Sequence, residues 1–124
     1  MVKPQILVID DQMIARRVVK KILGPDYEYI EADSGEAALK LLTDGLKPFA
    51  ILCDFHMPGL NGHEFLDRKK LLPDCGDIPC IIVSAAHSES LKEFSRMKGA
   101  VAWVNKPIRD EELIGAVRNL VAKA

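Results

Sequence analysis

From one end of this chain to the other, short apolar runs of strand type alternate with stripes of helical period, and few folds accept that alternation. Gln5 to Asp10 reads as a strand, because Ile6-Leu7-Val8-Ile9 is continuous and mostly β-branched, as a strand covered on both faces requires. Ala15, Val18, Val19, Ile22 and Leu23 then fall at i, i+3, i+4, i+7 and i+8, the stripe of an amphipathic helix, which Gly24-Pro25 stops. Tyr27 to Ala32 alternates imperfectly and suits a strand near a sheet edge with one wetter face. Asp33 or Ser34 can cap a helix through Leu46, with Ala38, Leu41 and Leu42 facing inward.

The second half repeats the pattern. Phe49 to Cys53 is a third strand ending on Asp54, and the turn-rich Met57-Pro58-Gly59-Leu60-Asn61-Gly62 leads into a helix from about His63 to Leu72. Ile81-Ile82-Val83 is a fourth strand ending on Ser84, followed by a helix from about Glu89 to Lys98 that stops at Gly99. Val101 to Val104 is a fifth strand, with Lys106-Pro107 just after it. Leu113, Ala116, Val117, Leu120 and Val121 mark a last helix, with Asp110-Glu111-Glu112 at the end where the helix dipole favours negative charge. Parallel strands need crossover helices, so the order predicts an α/β fold with a parallel sheet sandwiched between helices.

Composition narrows the function classes. At 124 residues a single core buries roughly two-thirds of the unfolded surface, so residues 1–124 read as one domain. No apolar run approaches bilayer length, and Met1-Val2-Lys3-Pro4-Gln5 lacks a signal-peptide layout, so the cytoplasm is the expected compartment and no membrane partner is expected. Seventeen Lys and Arg against eighteen Asp and Glu give a net charge of -1, without the positive excess that direct nucleic-acid binding needs. Cys53, Cys75 and Cys80 form no C-x-x-C pair, which argues against zinc and against a disulfide framework. Cys53 and Cys80 read as buried thiols, Cys75 as exposed among polar neighbours, and His63 and His87 as solvated surface residues.

In open parallel sheets, ligands bind beyond the carboxyl ends of the strands. The residues there are Asp10-Asp11 after the first strand, Asp54 after the third, Ser84 after the fourth and Lys106 after the fifth. Each close carboxylate pair costs about 4 kcal/mol at an effective dielectric of about 20, so a cation must offset the cluster. Lys106 supplies one charge, and an all-oxygen, carboxylate-rich pocket suits Mg²⁺ and a phosphoryl ligand.

Asp10-Asp11, Asp54 with Met57-Pro58-Gly59, Ser84-Ala85 and Lys106-Pro107 together resemble the marks of response-regulator receiver domains, over essentially the whole chain. The resemblance implies a CheY-like, flavodoxin-like fold: a doubly wound five-stranded parallel sheet in the order 2-1-3-4-5 with five helices. It implies that Asp54 is the phosphoacceptor, taking its phosphoryl group from a sensor histidine kinase or a histidine phosphotransfer protein. Asp10, Asp11, Asp54 and the backbone carbonyl of His56 would bind Mg²⁺, with Mn²⁺ as a substitute, and Ser84 and Lys106 would contact the phosphoryl oxygens. Ser84 and Trp103 would form the switch, Trp103 standing where the family more often has Tyr or Phe. His56 and Ala86 occupy the positions that tune water access and hence phosphoryl lifetime. The expected output surface is the face made by the fourth helix, fifth strand and fifth helix.

Two other classes share parts of this pattern. A phosphatase of the haloacid-dehalogenase type also uses a strand-end Asp, but needs a second acid where this chain has His56. A flavodoxin-like nucleotide or flavin binder shares the architecture but needs a phosphate loop where Asp10-Asp11 stands. A receiver is not expected to be an enzyme beyond its own phosphoryl acceptance and loss. It would act on a downstream protein target or on an effector domain missing from these residues, as a free-standing regulator or as a receiver excised from a hybrid kinase or multidomain regulator.

Overall fold

The computed structural model describes residues 2–123, in which strands and helices alternate as β1 (Gln5–Ile9), α1 (Met13–Leu23), β2 (Glu28–Ala32), α2 (Gly35–Thr43), β3 (Ala50–Asp54), α3 (Gly62–Lys70), β4 (Cys80–Ser84), α4 (Glu89–Met97), β5 (Ala102–Asn105) and α5 (Asp110–Lys123). The strands form one parallel sheet in the order β2-β1-β3-β4-β5, as the resemblance implies. Every residue of β3 and β4 is buried, which is why their sequences run apolar without alternation. The edge strand β2 keeps Glu28 and Glu31 exposed.

Successive residues of a strand point to opposite faces, and that alternation sorts the core into two layers. Leu7, Ile9, Ile51, Cys53 and Ile82 join Phe65 and Leu66 of α3 and Ala38 and Leu42 of α2 on one side. Ile6, Val8, Leu52, Ile81, Val83 and Val104 join Val19 and Leu23 of α1 and Leu113 and Val117 of α5 on the other. Each large aliphatic side chain buried this way contributes about 1.5–3 kcal/mol.

Local chemistry ends the helices where turns are needed. Ser34 is the cap of α2, its side chain accepting from the Ala37 N–H, and α2 stops at Thr43, short of the expected Leu46. Asn61 and Glu64 form a reciprocal capping box that starts α3. Gly24 closes α1 with φ +81, and at Gly62 a Cβ would meet the Phe55 Cα at 3.1 Å, so the chain leaving β3 can fold close against α3 only without a side chain there.

Three expectations fail. Cys75 is not exposed: the turns after α3 fold its thiol under the sheet edge, where it is fully buried, with the Lys47 ammonium 3.7 Å from Sγ. His63 is not solvated: at 8% exposure it packs edge-on against Phe55 and Phe94, its Nε2 hydrogen-bonded to Ser95 Oγ at 2.5 Å, tying α3 to α4. Its polar helical neighbours concealed a core position. Val18, a member of the α1 stripe, is 43% exposed because that flank of α1 overhangs a groove instead of the sheet. His87 is exposed, as expected.

Burial holds the His63 imidazole below its ordinary value; the Lys98 ammonium adds to this and Asp67 opposes it. The unfolded chain therefore binds more protons as pH falls. The stability that neutral His63 contributes is complete above pH about 6.5 and is lost as pH falls through the lower folded-state value. Urea unfolding should show His63→Gln less stable by about 1–3 kcal/mol at roughly pH 8, the gap narrowing toward about pH 5. A gap independent of pH would contradict this.

Candidate functional site

Asp10 follows β1, Asp54 is the last residue of β3 and Lys106 follows β5, all at the carboxyl edge of the sheet. The period of two puts them in line with Val8, Leu52 and Val104, on the α1/α5 side. There the Lys106 ammonium is 3.1 Å from Asp10 Oδ2 and 3.1 Å from Asp54 Oδ1. Asp10 Oδ1 also accepts from the Gln12 N–H at 3.0 Å. Asp11 is exposed on the turn between them, and carboxylate oxygens of Asp10, Asp11 and Asp54 lie within 4.8 Å of one another. Asp10, Asp11, Gln12, Asp54, His56, Ala85 and Lys106 line a cleft of about 360 Å³.

Charge at this edge is unbalanced. Burial raises the Asp54 carboxyl above its ordinary value, and the neighbouring Asp10 raises it further, while Lys106 only partly opposes them. Burial by itself would lower the Lys106 ammonium, but the hydrogen bonds and charges of Asp10 and Asp54 outweigh it and leave it raised. One lysine thus stays charged between two carboxylates, with a third beside them. Such an all-oxygen donor set, short of positive charge, fits a hard divalent cation.

Ser84, the last residue of β4, lies at the same edge but on the other face, in line with Ile82. It is fully buried, its Oγ accepts from the Ala86 N–H at 3.0 Å, and Ala85 takes its place in the cleft wall. Ser84 pairs in register with Asn105 and Ile82 with Trp103. Trp103 is therefore a diagonal neighbour of Ser84, half-buried toward α4, its ring 6.3 Å from that of Phe55. Half-buried Ala86 accepts a hydrogen bond from Asn105 through its carbonyl. His56 is exposed at the mouth of the cleft, its ring edge-on to Phe55.

Gln12 carries no chemical signature in the sequence, and Ala85 is marked there only as the neighbour of Ser84. The apolar flank of α1 was also missed. Ile14 is 73% exposed, and with Val18, Pro107 and Ile108 it borders a groove that reaches Asp54. Its legible signal is Ile14, an apolar residue outside the core-facing stripe.

Residues 6–118 match the family described as "Response regulator receiver domain". The chain is 30% identical over 119 residues to a cyclic di-GMP phosphodiesterase response regulator of Xanthomonas campestris pv. campestris (strain 8004), which covers 94% of this chain but 31% of the relative. It thus spans about a third of that relative's length. Among solved structures, the receiver domain of a Francisella response regulator superposes with a TM-score of 0.87 at 27% identity, covering 98% of each chain. A response regulator solved in its Mn²⁺-bound form superposes with a TM-score of 0.77 at 25% identity, covering 94% of this chain and 91% of the other.

A carboxyl held above its ordinary value favours the fold most when protonated, so at neutral pH the ionised Asp54 works against the folded state. In metal-free buffer Asp54→Asn should raise the melting temperature by a few °C. The difference should close as pH is lowered toward the ordinary carboxylate range, where the wild type protonates. An unchanged or lowered melting temperature at neutral pH would contradict the repulsion described.

Proposed function

The chain belongs to the response regulator receiver domain family, and on that premise we propose that Asp54 accepts the phosphoryl group from a histidine kinase or histidine phosphotransfer protein. Receivers are phosphoacceptor switches of two-component signalling, and nothing favours the phosphatase or flavin-binding readings. The observation that carries the assignment is the Lys106 ammonium held between Asp10 and Asp54, beside a third carboxylate at the sheet's carboxyl edge. The receiver unit is read as residues 1–124.

In the transfer, an Asp54 carboxylate oxygen attacks the phosphorus of the donor phosphoimidazole. A P–O bond forms, the P–N bond breaks, and its electron pair stays on the imidazole nitrogen. Asp10, Asp11, Asp54 and the backbone carbonyl of His56 would hold Mg²⁺, with Mn²⁺ as a substitute, and the bound ion supplies charge neutralisation. Lys106, a compact point charge already 3.1 Å from Asp54, turns to a phosphoryl oxygen. The exposed apolar flank of α1 borders the groove to Asp54 and gives a donor helix a surface against which to place its histidine in line. His56 at the cleft mouth and Ala86 behind it set how readily water reaches the acyl phosphate.

The phosphoryl group replaces one negative charge by about two and adds strong acceptors. Ser84 Oγ now accepts from the Ala86 N–H, which leaves its own O–H free to donate. Swinging that O–H to the phosphoryl oxygen draws the segment after β4 toward Asp54 and vacates space beside Trp103. Trp103 turning inward would alter the surface of α4, β5 and α5, where Met97 and Val101 are exposed to a downstream protein or effector domain. No helix among the described residues is long and apolar enough to cross a membrane; the cytoplasm remains the expected compartment.

Acetyl phosphate with Mg²⁺ should add one phosphoryl group to the wild type and none to Asp54→Ala by intact mass, and Lys106→Met should slow labelling by about 100-fold. Equal labelling of wild type and Asp54→Ala would refute the assignment. Beryllofluoride should also shift Trp103 fluorescence in the wild type and leave that of Ser84→Ala nearly unchanged; identical responses would remove Ser84 from the switch.

A further inference from the structure

Asp10 is held from several sides, but none of its own side-chain contacts fixes the neighbour that completes the acidic cluster. Its backbone N–H donates to the Ala32 carbonyl at 3.1 Å, and its carboxylate takes the Gln12 N–H and the Lys106 ammonium. Asp11 is exposed, one peptide further on, and its direction depends on the plane of the Asp10–Asp11 peptide.

A side chain from α1 grips that plane. Arg16 Nη1 donates to the Asp10 carbonyl oxygen at 2.6 Å, while its Nε donates to Glu31 Oε1 at 2.9 Å. Glu31 belongs to β2, in register with Val8 of β1, and its other oxygen takes the Lys20 ammonium at 2.9 Å. The Arg16 side chain is 14% exposed and its bond to the Asp10 carbonyl is partly buried, whereas the Glu31 end of the clamp lies at the surface. The rigid planar fork of Arg16 presents Nε and Nη1 to two acceptors at a fixed angle.

We propose that Arg16 is a positioning residue for the metal site: by clamping the Asp10 carbonyl against the Glu31 anchor, it fixes the peptide that aims Asp11 at Asp10 and Asp54. This rests on the reading of those three aspartates as metal-holding residues. Arg16 touches neither the phosphoryl group nor the ion. Outer groups that orient metal ligands change affinity by about 10–100-fold when removed.

The sign of the effect separates positioning from plain electrostatics. A guanidinium near a cation site repels the cation, so if only charge mattered, Arg16→Met would bind Mg²⁺ more tightly. Positioning requires weaker binding. Calorimetric titration with Mg²⁺ alone should give Arg16→Met a Kd raised by about tenfold. Glu31→Gln, which keeps the carbonyl bond but loosens its anchor, should raise it by about threefold. At saturating Mg²⁺, Arg16→Met should still reach the wild-type extent of Asp54 labelling by acetyl phosphate.

Equal or tighter Mg²⁺ binding by Arg16→Met, with a wild-type melting temperature, overturns the proposal. If Arg16→Met does not fold, Glu31→Gln decides it in the same way. Wild type that binds Mg²⁺ no better than Asp54→Ala would instead overturn the underlying assignment of the metal site.

Discussion

The site depends on one ammonium shared between two carboxylates. Lys106 and Asp10 are 96 residues apart in sequence, and the parallel sheet brings them to 3.1 Å by ending β1, β3 and β5 at one edge. Without that cation three carboxylates would confront one another in a half-buried cleft, where each pair costs several kcal/mol. With it the cluster is tolerated but not neutral, and the Asp54 carboxyl remains above its ordinary value. The residual negative charge is what suits the edge to a further cation.

A sheet whose two inner strands are wholly buried is a firm support for such a cluster. Asp54 is itself a strand residue, paired in register with Val83, so its backbone cannot drift. Asp11, Ala85, Ala86 and His56 lie on the connecting segments at the same edge. Rigid strands carry Asp54 and Ser84, and the more adaptable connections carry the residues around them. The aromatic line from Trp103 through Phe55 and His63 to Phe94 joins the residue after Asp54 to α4 by direct ring contact.

Much of this was legible in the sequence because the chemistry of each signal is local. β-branched runs, amphipathic stripes and glycine stops gave the element order. The polar residues that interrupt β1, β3, β4 and β5 at their ends marked the edge where they meet. Less legible was what depends on packing between elements. His63 sits among polar helical neighbours and became a core residue only because α4 offers Ser95 and Phe94. Cys75 lies in a polar stretch whose turns happen to fold inward. Arg16 carries no motif, since its partners are a main-chain carbonyl and a carboxylate of a strand that only the fold brings near. The face on which Ser84 lies follows from strand parity, which the residue pattern contains but the eye does not count.

That parity divides the molecule's two sides by role. Asp10, Asp54 and Lys106 open toward α1 and α5, whereas Ser84, Asn105 and Trp103 belong to the layer of α3 and α4. Between them stand the close-packed strands, with no passage through Leu52, Ile82 or Val83, all buried. The sheet is a bulkhead, and a message written on one side can be read on the other only by going around its carboxyl rim. Two segments round that rim beside Asp54, Phe55 to Asn61 on the way from β3 to α3 and Ala85 to Ser88 on the way from β4 to α4, and both are short connections anchored in buried strands.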